Sequence, residues 1–177
     1  MNRALIVIDM QNDFAFTGGT LVTKEAISIV PKVRELVNEF LQNEEAIYFT
    51  RDTHDEGYRW TQEGQKLPVS HCRYGSWGWQ IIDEVDVKET AYNNVKHLNK
   101  MQFAYNAWED ENLDQYDEIW LCGVVSSICV ISNALAIKMI YPNLPIKFVA
   151  YASAGLTPED HKAAIQVMHS SQVEVIE

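Results

Sequence analysis

Basic residues, cysteines and long apolar runs are all scarce in this chain. It has 14 lysines and arginines against 25 aspartates and glutamates, which gives a formal net charge of −11 at pH 7. A surface that binds nucleic-acid phosphates is rich in lysine and arginine, so this composition argues against a nucleic-acid partner. No segment approaches the roughly 20 apolar residues that cross a bilayer, and the N-terminus leads into a core strand rather than a signal peptide. We therefore expect a cytoplasmic protein that binds neither membranes nor nucleic acid.

The low cysteine count agrees with a reducing compartment. Three cysteines are an odd number and too few for the disulfide framework of a small secreted domain. Repeats and tracts rich in proline or glycine, which would mark a linker, are also lacking. A length of 177 residues suits one domain with a substantial core. We therefore predict a single domain over residues 1–177.

Short apolar runs alternate with segments of helical periodicity, which is typical of an α/β fold. Residues 4–8 are apolar at every position, as expected of a strand buried on both faces of a parallel sheet. Other strands are predicted at residues 46–50, 91–95, 119–122, 146–150 and 173–176. Right-handed crossovers between them predict a three-layer α/β/α sandwich with a mostly parallel central sheet. Its ligand crevice is expected at the carboxyl ends of the strands.

Three helices are indicated between these strands. Apolar residues recur at helical spacing over residues 27–41, where Pro31 should be tolerated only in the first turn. Residues 132–140 carry a second helical pattern. Before the last strand, Thr157 is a capping residue and Pro158 suits the first helical position. These helices would supply the crossovers of the parallel sheet.

Cys129 lies between a predicted strand and the helix predicted at residues 132–140. A thiol near a helix N-terminus feels the positive end of the helix dipole, which lowers its pKa and favours the thiolate. An isolated cysteine is more often a small buried hydrophobe, as we expect for Cys122 inside a strand. Asp9, directly after the first strand, is expected at the same edge of the sheet. We therefore take Cys129 as a candidate nucleophile.

Residues 53–87 form a long irregular stretch that is rich in aromatic residues, which argues against disorder. Asp52 and His54 at its start, with the later His71, offer the oxygen and nitrogen ligands used by Zn²⁺, Mn²⁺ or Fe²⁺. Alone, an Asp-x-His sequence is more often part of a solvated loop. A fourth ligand could come from one of three loop carboxylates: Glu63 first, then Asp55 and Glu56.

Four segments together resemble the isochorismatase-like cysteine hydrolases. Residues 7–14, VIDMQNDF, are similar to the opening motif of that family. Residues 50–54, TRDTH, and 68–72, PVSHC, resemble the metal-binding segments of its nicotinamidase branch. Residues 100–103, KMQF, resemble its Lys-x-x-aromatic segment. The similarity spans nearly the whole chain.

The resemblance implies roles for particular residues. Asp9, Lys100 and Cys129 would form the catalytic triad. The ligands of a divalent metal ion would be Asp52, His54 and His71, with Glu63 as the candidate fourth. Zinc is the expected ion, with manganese and iron as alternatives.

The turn after the fourth strand is expected to stabilise an oxyanion. The backbone amides of Val125 and Cys129 are the candidate donors, and the resemblance implies a cis peptide between Val124 and Val125. Phe14 and Phe103 are candidate walls for an aromatic substrate ring, although each could equally pack in the core.

The chain also departs from the family pattern. The nucleophile segment reads VSSIC at residues 125–129, where the family usually has a sequence of the ATDYC type. Leu67 precedes the PVSHC segment, where nicotinamidases often have tryptophan. No histidine lies between His54 and His71, and Glu63 is therefore the candidate fourth ligand.

These residues and the resemblance lead us to expect a nicotinamidase. It would hydrolyse nicotinamide to nicotinate and ammonia through a thioester on Cys129, with a divalent metal orienting the pyridine ring. Pyrazinamide should also be a substrate. The alternatives are a related hydrolase acting on another small amide, ureide or carbamoyl compound, and a catalytically silent binding module on the same fold. The expected partner is a small-molecule carboxamide, and a homo-oligomer is possible.

Overall fold

Six parallel strands form the centre of the computed structural model, which describes all 177 residues. The strands are β1 (Arg3–Ile8), β2 (Ala46–Asp52), β3 (Val95–Lys100), β4 (Glu118–Val124), β5 (Ile146–Ala154) and β6 (Glu174–Ile176). They are hydrogen-bonded in the order β3-β2-β1-β4-β5-β6, and every neighbouring pair is parallel. The predicted α/β sandwich is confirmed, with a sheet that is parallel throughout.

Five α-helices connect the strands. They are α1 (Asn12–Ala15), α2 (Lys24–Gln42), α3 (Gln62–Lys66), α4 (Ile131–Ile140) and α5 (Pro158–Ser170). Single 3₁₀ turns cover Tyr58–Trp60, Glu89–Ala91, Trp108–Glu111 and Leu113–Gln115. None of the helices combines the length and the apolar character needed to cross a membrane.

The central strand β1 divides two hydrophobic cores. Leu5 and Val7 pack on the face covered by α2, whereas Ala4, Ile6 and Ile8 pack on the face covered by α4 and α5. All five side chains are fully buried. Alternate residues of a strand point to opposite faces, so a strand covered on both sides must be apolar at every position. Burial on both faces therefore explains the continuous apolar run at residues 4–8.

Helix α2 begins earlier than the sequence pattern predicts. It starts at Lys24, and the Thr23 hydroxyl caps it by accepting a hydrogen bond of 3.1 Å from the amide of Ala26. Pro31 therefore lies in the helix interior, and its predicted place in the first turn is wrong. Pro31 is exposed, and the carbonyl that loses its usual partner belongs to Ile27, which is also exposed. Water can replace the missing bond on this side of the helix.

The predicted third strand at residues 91–95 is wrong, because β3 covers Val95–Lys100. This strand lies at the sheet edge and pairs only with β2. Its buried residues, Val95, Leu98 and Lys100, are separated by polar positions. This edge strand has polar residues on both of its faces and therefore lacks a continuous apolar run, so it was not visible in the sequence. Lys100 is consequently the last residue of a strand.

Gly123 allows β4 to pass close to β1. Its φ angle is +111°, and a Cβ atom at this position would collide with the backbone of Ile8. The β4–β5 pairing also shifts register between Leu121 and Gly123. Only glycine combines this backbone angle with the absence of a side chain. The close approach brings the ends of β1 and β4 side by side.

Candidate active site

Four candidate site residues lie at the carboxyl ends of neighbouring strands. Asp9 follows β1, Asp52 ends β2, Lys100 ends β3, and Cys129 lies in the turn after β4. The chain order reverses between β1 and β4, since β2 and β3 extend the sheet on one side and β5 and β6 on the other. Open parallel sheets bind ligands in the crevice at such a switch point. The topology therefore brings distant parts of the sequence to one place.

The three candidate triad residues are brought together in this crevice. The Lys100 Nζ atom lies 2.7 Å from Asp9 Oδ2 and 3.5 Å from Cys129 Sγ. It also donates a hydrogen bond of 3.2 Å to the carbonyl of Gln102. Asp9 and Lys100 are almost completely buried, and Cys129 is 8% exposed. A carboxylate, an ammonium and a thiol thus share a site from which water is largely excluded.

Burial and mutual attraction set the charge of these groups. Burial raises the pKa of Asp9, although the Lys100 ammonium opposes this effect. Burial alone would lower the pKa of Lys100, but Asp9, the Cys129 sulfur and Asp52 raise it well above its usual value. Lys100 is therefore a permanent cation at neutral pH. Asp9 is a carboxyl group that can bind a proton more readily than an exposed aspartate.

The thiol of Cys129 does not have the lowered pKa that the sequence predicted. It lies in a π-helical turn (Ser126–Val130) that precedes α4, not in the first turn of an α-helix. Burial raises the pKa of Cys129 well above its usual value, and the nearby Lys100 only partly offsets this. Loss of hydration outweighs the helix dipole here. The sulfur therefore needs a neighbouring base, and Asp9 is in position to take its proton.

Thr50 fixes the carboxylate of Asp9 from the adjacent strand. Its Oγ1 atom donates a hydrogen bond of 2.7 Å to Asp9 Oδ1 and accepts one of 3.2 Å from the Asp9 amide. The φ angle of Asp9 is +50°, a left-handed conformation that is uncommon outside glycine. The other oxygen, Oδ2, accepts no directed hydrogen bond, so the ion pair with Lys100 compensates its burial.

The turn between β4 and α4 presents backbone amides to the crevice. The Val124–Val125 peptide is cis, as the family resemblance implies. No protein group accepts a hydrogen bond from the amide of Val125. Val125 and Cys129 both line the same cavity. Their amides remain the predicted donors to an oxyanion.

Asp52, His54, Glu63 and His71 form a compact cluster beside the candidate triad. One ligand atom from each lies within 4.8 Å of the other three. Asp52 Oδ2 is 2.9 Å from His54 Nε2 and 3.3 Å from His71 Nε2. Glu63 Oε1 is 3.7 Å from His54 Nε2 and 4.0 Å from His71 Nε2. Asp52 and both histidines are buried, whereas Glu63 is partly exposed.

This cluster fits a divalent metal ion. Zinc bonds of about 2.0–2.2 Å in a tetrahedron place ligand atoms roughly 3.3–3.6 Å apart, within the range of the observed spacings. Two carboxylates and two imidazoles are also the donor types that Zn²⁺, Mn²⁺ and Fe²⁺ accept. Nδ1 of His71 lies 2.8 Å from the carbonyl of Val69. That bond requires the proton on Nδ1, so Nε2 is left with a free lone pair facing the cluster.

Gln11 holds the backbone of Asp52 with both ends of its amide. Its Oε1 accepts a hydrogen bond of 2.7 Å from the Asp52 amide, and its Nε2 donates one of 2.8 Å to the Asp52 carbonyl. The same nitrogen donates to the carbonyl of Trp79 at 2.8 Å. Gln11 thus connects β1 to β2 and to the loop that supplies His71. It orients a metal-ligand candidate without contacting the cluster itself.

Lys100 also connects the triad to the metal-ligand cluster. Its Nζ atom lies 3.4 Å from Asp52 Oδ1, in addition to its contact with Asp9. Burial alone would raise the pKa of Asp52, but Lys100 and the imidazoles of His54 and His71 lower it. Asp52 is therefore ionised at neutral pH, as a metal ligand must be. One ammonium group thus contacts a carboxyl group of each set.

A cavity of about 430 Å³ opens above both sets of residues. Asp9 and Cys129 line it together with three of the four metal-ligand candidates, Asp52, Glu63 and His71. The predicted ring walls, Phe14 and Phe103, also line it, and the Phe14 ring centroid lies 5.7 Å from that of His71. His54, the fourth metal-ligand candidate, does not line the cavity. Most of the remaining lining is apolar, which suits a small uncharged substrate.

The N-terminal turn of α5 is hydrogen-bonded to the turn Ser126–Val130, which contains the candidate nucleophile Cys129 and is called the nucleophile turn below. Ser126 Oγ lies 2.7 Å from His161 Nδ1, and Ser127 Oγ donates a hydrogen bond of 2.6 Å to Asp160 Oδ2. The same Asp160 oxygen accepts a bond of 3.0 Å from the amide of Leu156. No sequence pattern indicated a role for His161. In the structure its contact with the fully buried Ser126 helps to hold this turn in position.

Three further supporting residues were not identified from the sequence: Thr50, Gln11 and Asp13. Asp13 accepts a hydrogen bond of 2.7 Å from the amide of Cys72 and one of 3.2 Å from the amide of Thr20. It thereby ties the segment after His71 to the cavity wall. Gln11 and Asp13 lie in the segment 7–14. The several polar residues directly after the apolar strand β1 were the sequence signal that could have identified them.

Comparisons with known proteins identify the family and the fold. The family model described as "Isochorismatase domain" matches residues 3–177. The crystal structure of nicotinamidase/pyrazinamidase PncA from Bacillus subtilis superposes with a TM-score of 0.89 at 26% identity, covering 100% of both chains. The pyrazinamidase of Pyrococcus horikoshii, solved in complex with zinc, gives a TM-score of 0.84 at 26% identity, covering 100% of this chain and 99% of that one.

A curated relative shows that the fold does not guarantee activity. A probable inactive nicotinamidase of Arabidopsis thaliana is 28% identical, over 93% of this chain and 86% of its own length. The activity of this chain must therefore be argued from its own residues. The match of the family model over nearly the whole sequence is decisive for the family, and the chain belongs to the isochorismatase family.

Proposed function

We propose that this protein is a nicotinamidase, which hydrolyses nicotinamide to nicotinate and ammonia. One observation carries the proposal. Lys100 Nζ lies within 3.5 Å of Asp9, Cys129 and Asp52, so a nucleophile with its base and a metal-ligand cluster open into one cavity. Amide hydrolysis needs a nucleophile, a proton carrier and stabilisation of an oxyanion. The groups around Lys100 can supply all three.

The first half of the reaction forms a thioester. The Cys129 sulfur attacks the carboxamide carbon while Asp9 accepts the thiol proton. The carbonyl oxygen becomes an oxyanion, which the amides of Val125 and Cys129 stabilise. Asp9 then donates the proton to the amide nitrogen, the carbon–nitrogen bond breaks, and ammonia leaves. Lys100 keeps its positive charge and stabilises the negative charge shared by Asp9 and the sulfur.

The second half returns the enzyme to its starting state. Asp9 is again a carboxylate and accepts a proton from a water molecule that attacks the thioester carbon. The carbon–sulfur bond breaks, nicotinate forms, and Asp9 returns the proton to the Cys129 sulfur. The burial that raises the pKa of Asp9 helps it to alternate between base and acid. Thr50 holds the same carboxylate oxygen throughout.

Asp52, His54, Glu63 and His71 would hold a divalent metal, with zinc expected first. When bound, such an ion would coordinate the pyridine nitrogen and fix the ring in the cavity. Phe14 and Phe103 would contact the ring faces or edges. Pyrazinamide has a ring nitrogen in the equivalent position and should be accepted as well.

The direct test is ammonia release from nicotinamide by the purified protein and by two cysteine variants. Cys129→Ala should reduce kcat by at least about 10⁴-fold, because it removes the nucleophile. Cys122→Ala removes another buried thiol, but one in strand β4, and should retain most of the turnover. Equal activity in Cys129→Ala and the parent protein would refute the proposal.

The same assay separates the alternatives. Turnover of a ureide or carbamoyl compound in preference to nicotinamide would assign a related amidohydrolase. Absence of turnover on every amide, together with no bound metal, would assign a silent module like the probable inactive relative. Full retention of Asp9, Lys100 and Cys129 in contact geometry favours the active enzyme.

A further inference from the structure

The cavity around Cys129 is larger than nicotinamide requires. Nicotinamide has nine non-hydrogen atoms, which occupy at most roughly 270 Å³ even at the 30 Å³ share of a water molecule in the liquid. The cavity measures about 430 Å³. A metal ion and an attacking water fill only part of the difference. Space therefore remains for several more atoms of a substrate.

The order of the strands shows where this space lies. Asp52 ends β2, Asp9 follows β1, Cys129 follows β4, and Leu156 follows β5, which are four consecutive strands in the sheet. At about 4.8 Å between neighbouring strands, the cavity extends roughly 14 Å across the sheet. A pyridine ring beside Asp52 and His71, with its carboxamide at Cys129, would occupy the part above β2, β1 and β4. The part above β5 lies beyond the nucleophile.

The two ends of the cavity differ in chemistry. Every titratable side chain of the lining except the Cys129 thiol is at the β1–β2 end: Asp9, Asp52, Glu63 and His71. The opposite end, which we call the β5 lobe, has only uncharged residues. Leu156 follows β5, Val124 pairs with Ala154 of β5, and Ile128 lies in the turn after β4. Helix α2 packs on β5, so the lining residues at its start belong to the same lobe: Leu21, Val22 and Ala26. An alkyl or aryl group would lose water there without burying any protein charge.

The reacting nitrogen cannot carry this extra group. It leaves after protonation by Asp9, whose side chain is fully buried and in contact with Lys100 at 2.7 Å. Asp9 follows β1, on the side of Cys129 away from β5, so a group on this nitrogen would extend away from the β5 lobe. The additional apolar group must therefore belong to the acyl part of the substrate. On a pyridine carboxamide it would be attached to a ring carbon remote from the ring nitrogen.

We propose that the β5 lobe binds an apolar substituent on the ring, and that the preferred substrates are alkyl-substituted pyridine carboxamides rather than nicotinamide itself. This inference rests on the proposed function. Each methylene that leaves water for the lobe should raise kcat/KM by about fourfold. Leu156 is the specificity-determining residue, because its side chain is 49% exposed and can move to accommodate the substituent.

The test compares kcat/KM for nicotinamide, 4-propylnicotinamide and 5-propylnicotinamide. We expect at least one propyl compound to exceed nicotinamide. Values for both propyl compounds at or below that of nicotinamide would overturn the inference while leaving the proposed function intact. If the protein hydrolyses none of the three, the proposed function itself fails, and the inference fails with it.

Two matched variants locate the substituent. Leu156→Trp fills the β5 lobe and should lower the ratio of the propyl to the nicotinamide kcat/KM. Leu67→Trp adds the same bulk at the opposite end of the cavity, where both substrates share the ring, and should leave that ratio unchanged. Leu67 is 37% exposed, so neither variant disturbs the core. A ratio that falls in Leu67→Trp but not in Leu156→Trp would contradict the assignment of the lobe.

Discussion

Asp9 is a buried carboxylate whose two oxygens depend on two different neighbours. Oδ1 is held by Thr50 and Oδ2 by Lys100, and both partners come from other strands. A buried charged group without its partners is strongly destabilised. The chemistry proposed for Asp9 therefore depends on residues that do not themselves react.

Thr50→Val should separate this support from the chemistry. Valine has nearly the shape of threonine but cannot donate the 2.7 Å hydrogen bond to Asp9. Loss of a bond to a charged acceptor of this kind costs about 1.5–3 kcal/mol, so kcat/KM should fall roughly 10- to 150-fold. Thr50→Ser keeps the hydroxyl and should retain most of the activity. Steady-state kinetics of both variants is the measurement, and equal losses in the two would disprove the role of the hydroxyl.

Individual site residues could be predicted only where a sequence signal was local. Asp9 and Cys129 follow apolar strands, and Asp52 and His54 form a recognisable pair. Thr50 could not be identified, because its acceptor lies 41 residues away in sequence and the contact depends on the pairing of β1 with β2. The pKa of Cys129 was predicted in the wrong direction for a related reason. Burial is a tertiary effect that the helix-dipole argument did not include.

At the scale of elements, α5 supports the turn that carries the nucleophile. Asp160 and His161 bond to Ser127 and Ser126, although α5 begins well after the turn in sequence. The start of α5 at Pro158 was predicted from its capping residue, and the structure confirms it: Thr157 Oγ1 accepts a bond of 3.1 Å from the Asp160 amide. The contact between the two elements was not predictable, because no sequence pattern shows which loops meet.

Asp160→Ala should lower kcat by roughly tenfold or more with little change in KM. Loss of the Asp160 carboxylate frees Ser127 and with it the turn that contains the predicted oxyanion donors. The hydrogen bonds from these donors strengthen only in the transition state. Glu159→Ala is the matched control, since it removes an acidic residue from the same first turn of α5 but forms no bond to the nucleophile turn. Equal kinetic effects of the two substitutions would contradict a positioning role for Asp160.

A second prediction at this scale concerns the close approach of β4 to β1 at Gly123. Gly123→Ala should reduce the free energy of unfolding by more than about 2 kcal/mol, because a Cβ there meets the Ile8 backbone at a positive φ. Gly18 has a similar φ of +97° but open space around it, so Gly18→Ala should cost only about 1 kcal/mol. Urea unfolding measures both values. A smaller loss for Gly123→Ala than for Gly18→Ala would show that the β1–β4 approach is not tight.

The edge strand β3 shows the limit of reading elements from apolar runs. Polar residues lie between its buried positions, so it has no apolar run and the prediction fell on the preceding segment. The central strands, which are covered on both faces, were located within a few residues. Burial on both faces makes these central strands visible as apolar runs, whereas the short edge strand β6 was located because it follows the last crossover helix.

The whole molecule combines a parallel sheet with two adjacent sets of polar residues at its switch point. The class of fold followed from the alternation of strands and helices, which is a property of the entire chain. The size of the cavity and the different chemistry of its two ends did not follow, because its walls come from the loops after all of the first five strands. Loop conformations depend on contacts that sequence periodicity does not encode.

Metal binding should stabilise the whole fold. Zinc at 100 times its Kd would add about 2.7 kcal/mol to the free energy of unfolding, which corresponds to a rise in Tm of roughly 5–10 °C. Differential scanning calorimetry with and without zinc measures this rise. His71→Ala removes a buried ligand candidate and should abolish it, whereas His169→Ala, an exposed position on α5, should not. A rise that persists in His71→Ala would place the metal elsewhere.

The central claim is that Cys129 forms a covalent acyl intermediate in the cavity it shares with Asp9 and Lys100. Peptide mass mapping of enzyme quenched in acid during turnover of nicotinamide tests this most directly. The account predicts a nicotinoyl group on the peptide that contains Cys129, formed before nicotinate accumulates and absent from the Cys129→Ala variant. Release of nicotinate with no acyl group on Cys129 at any time, or an acyl group on a different residue, would contradict it.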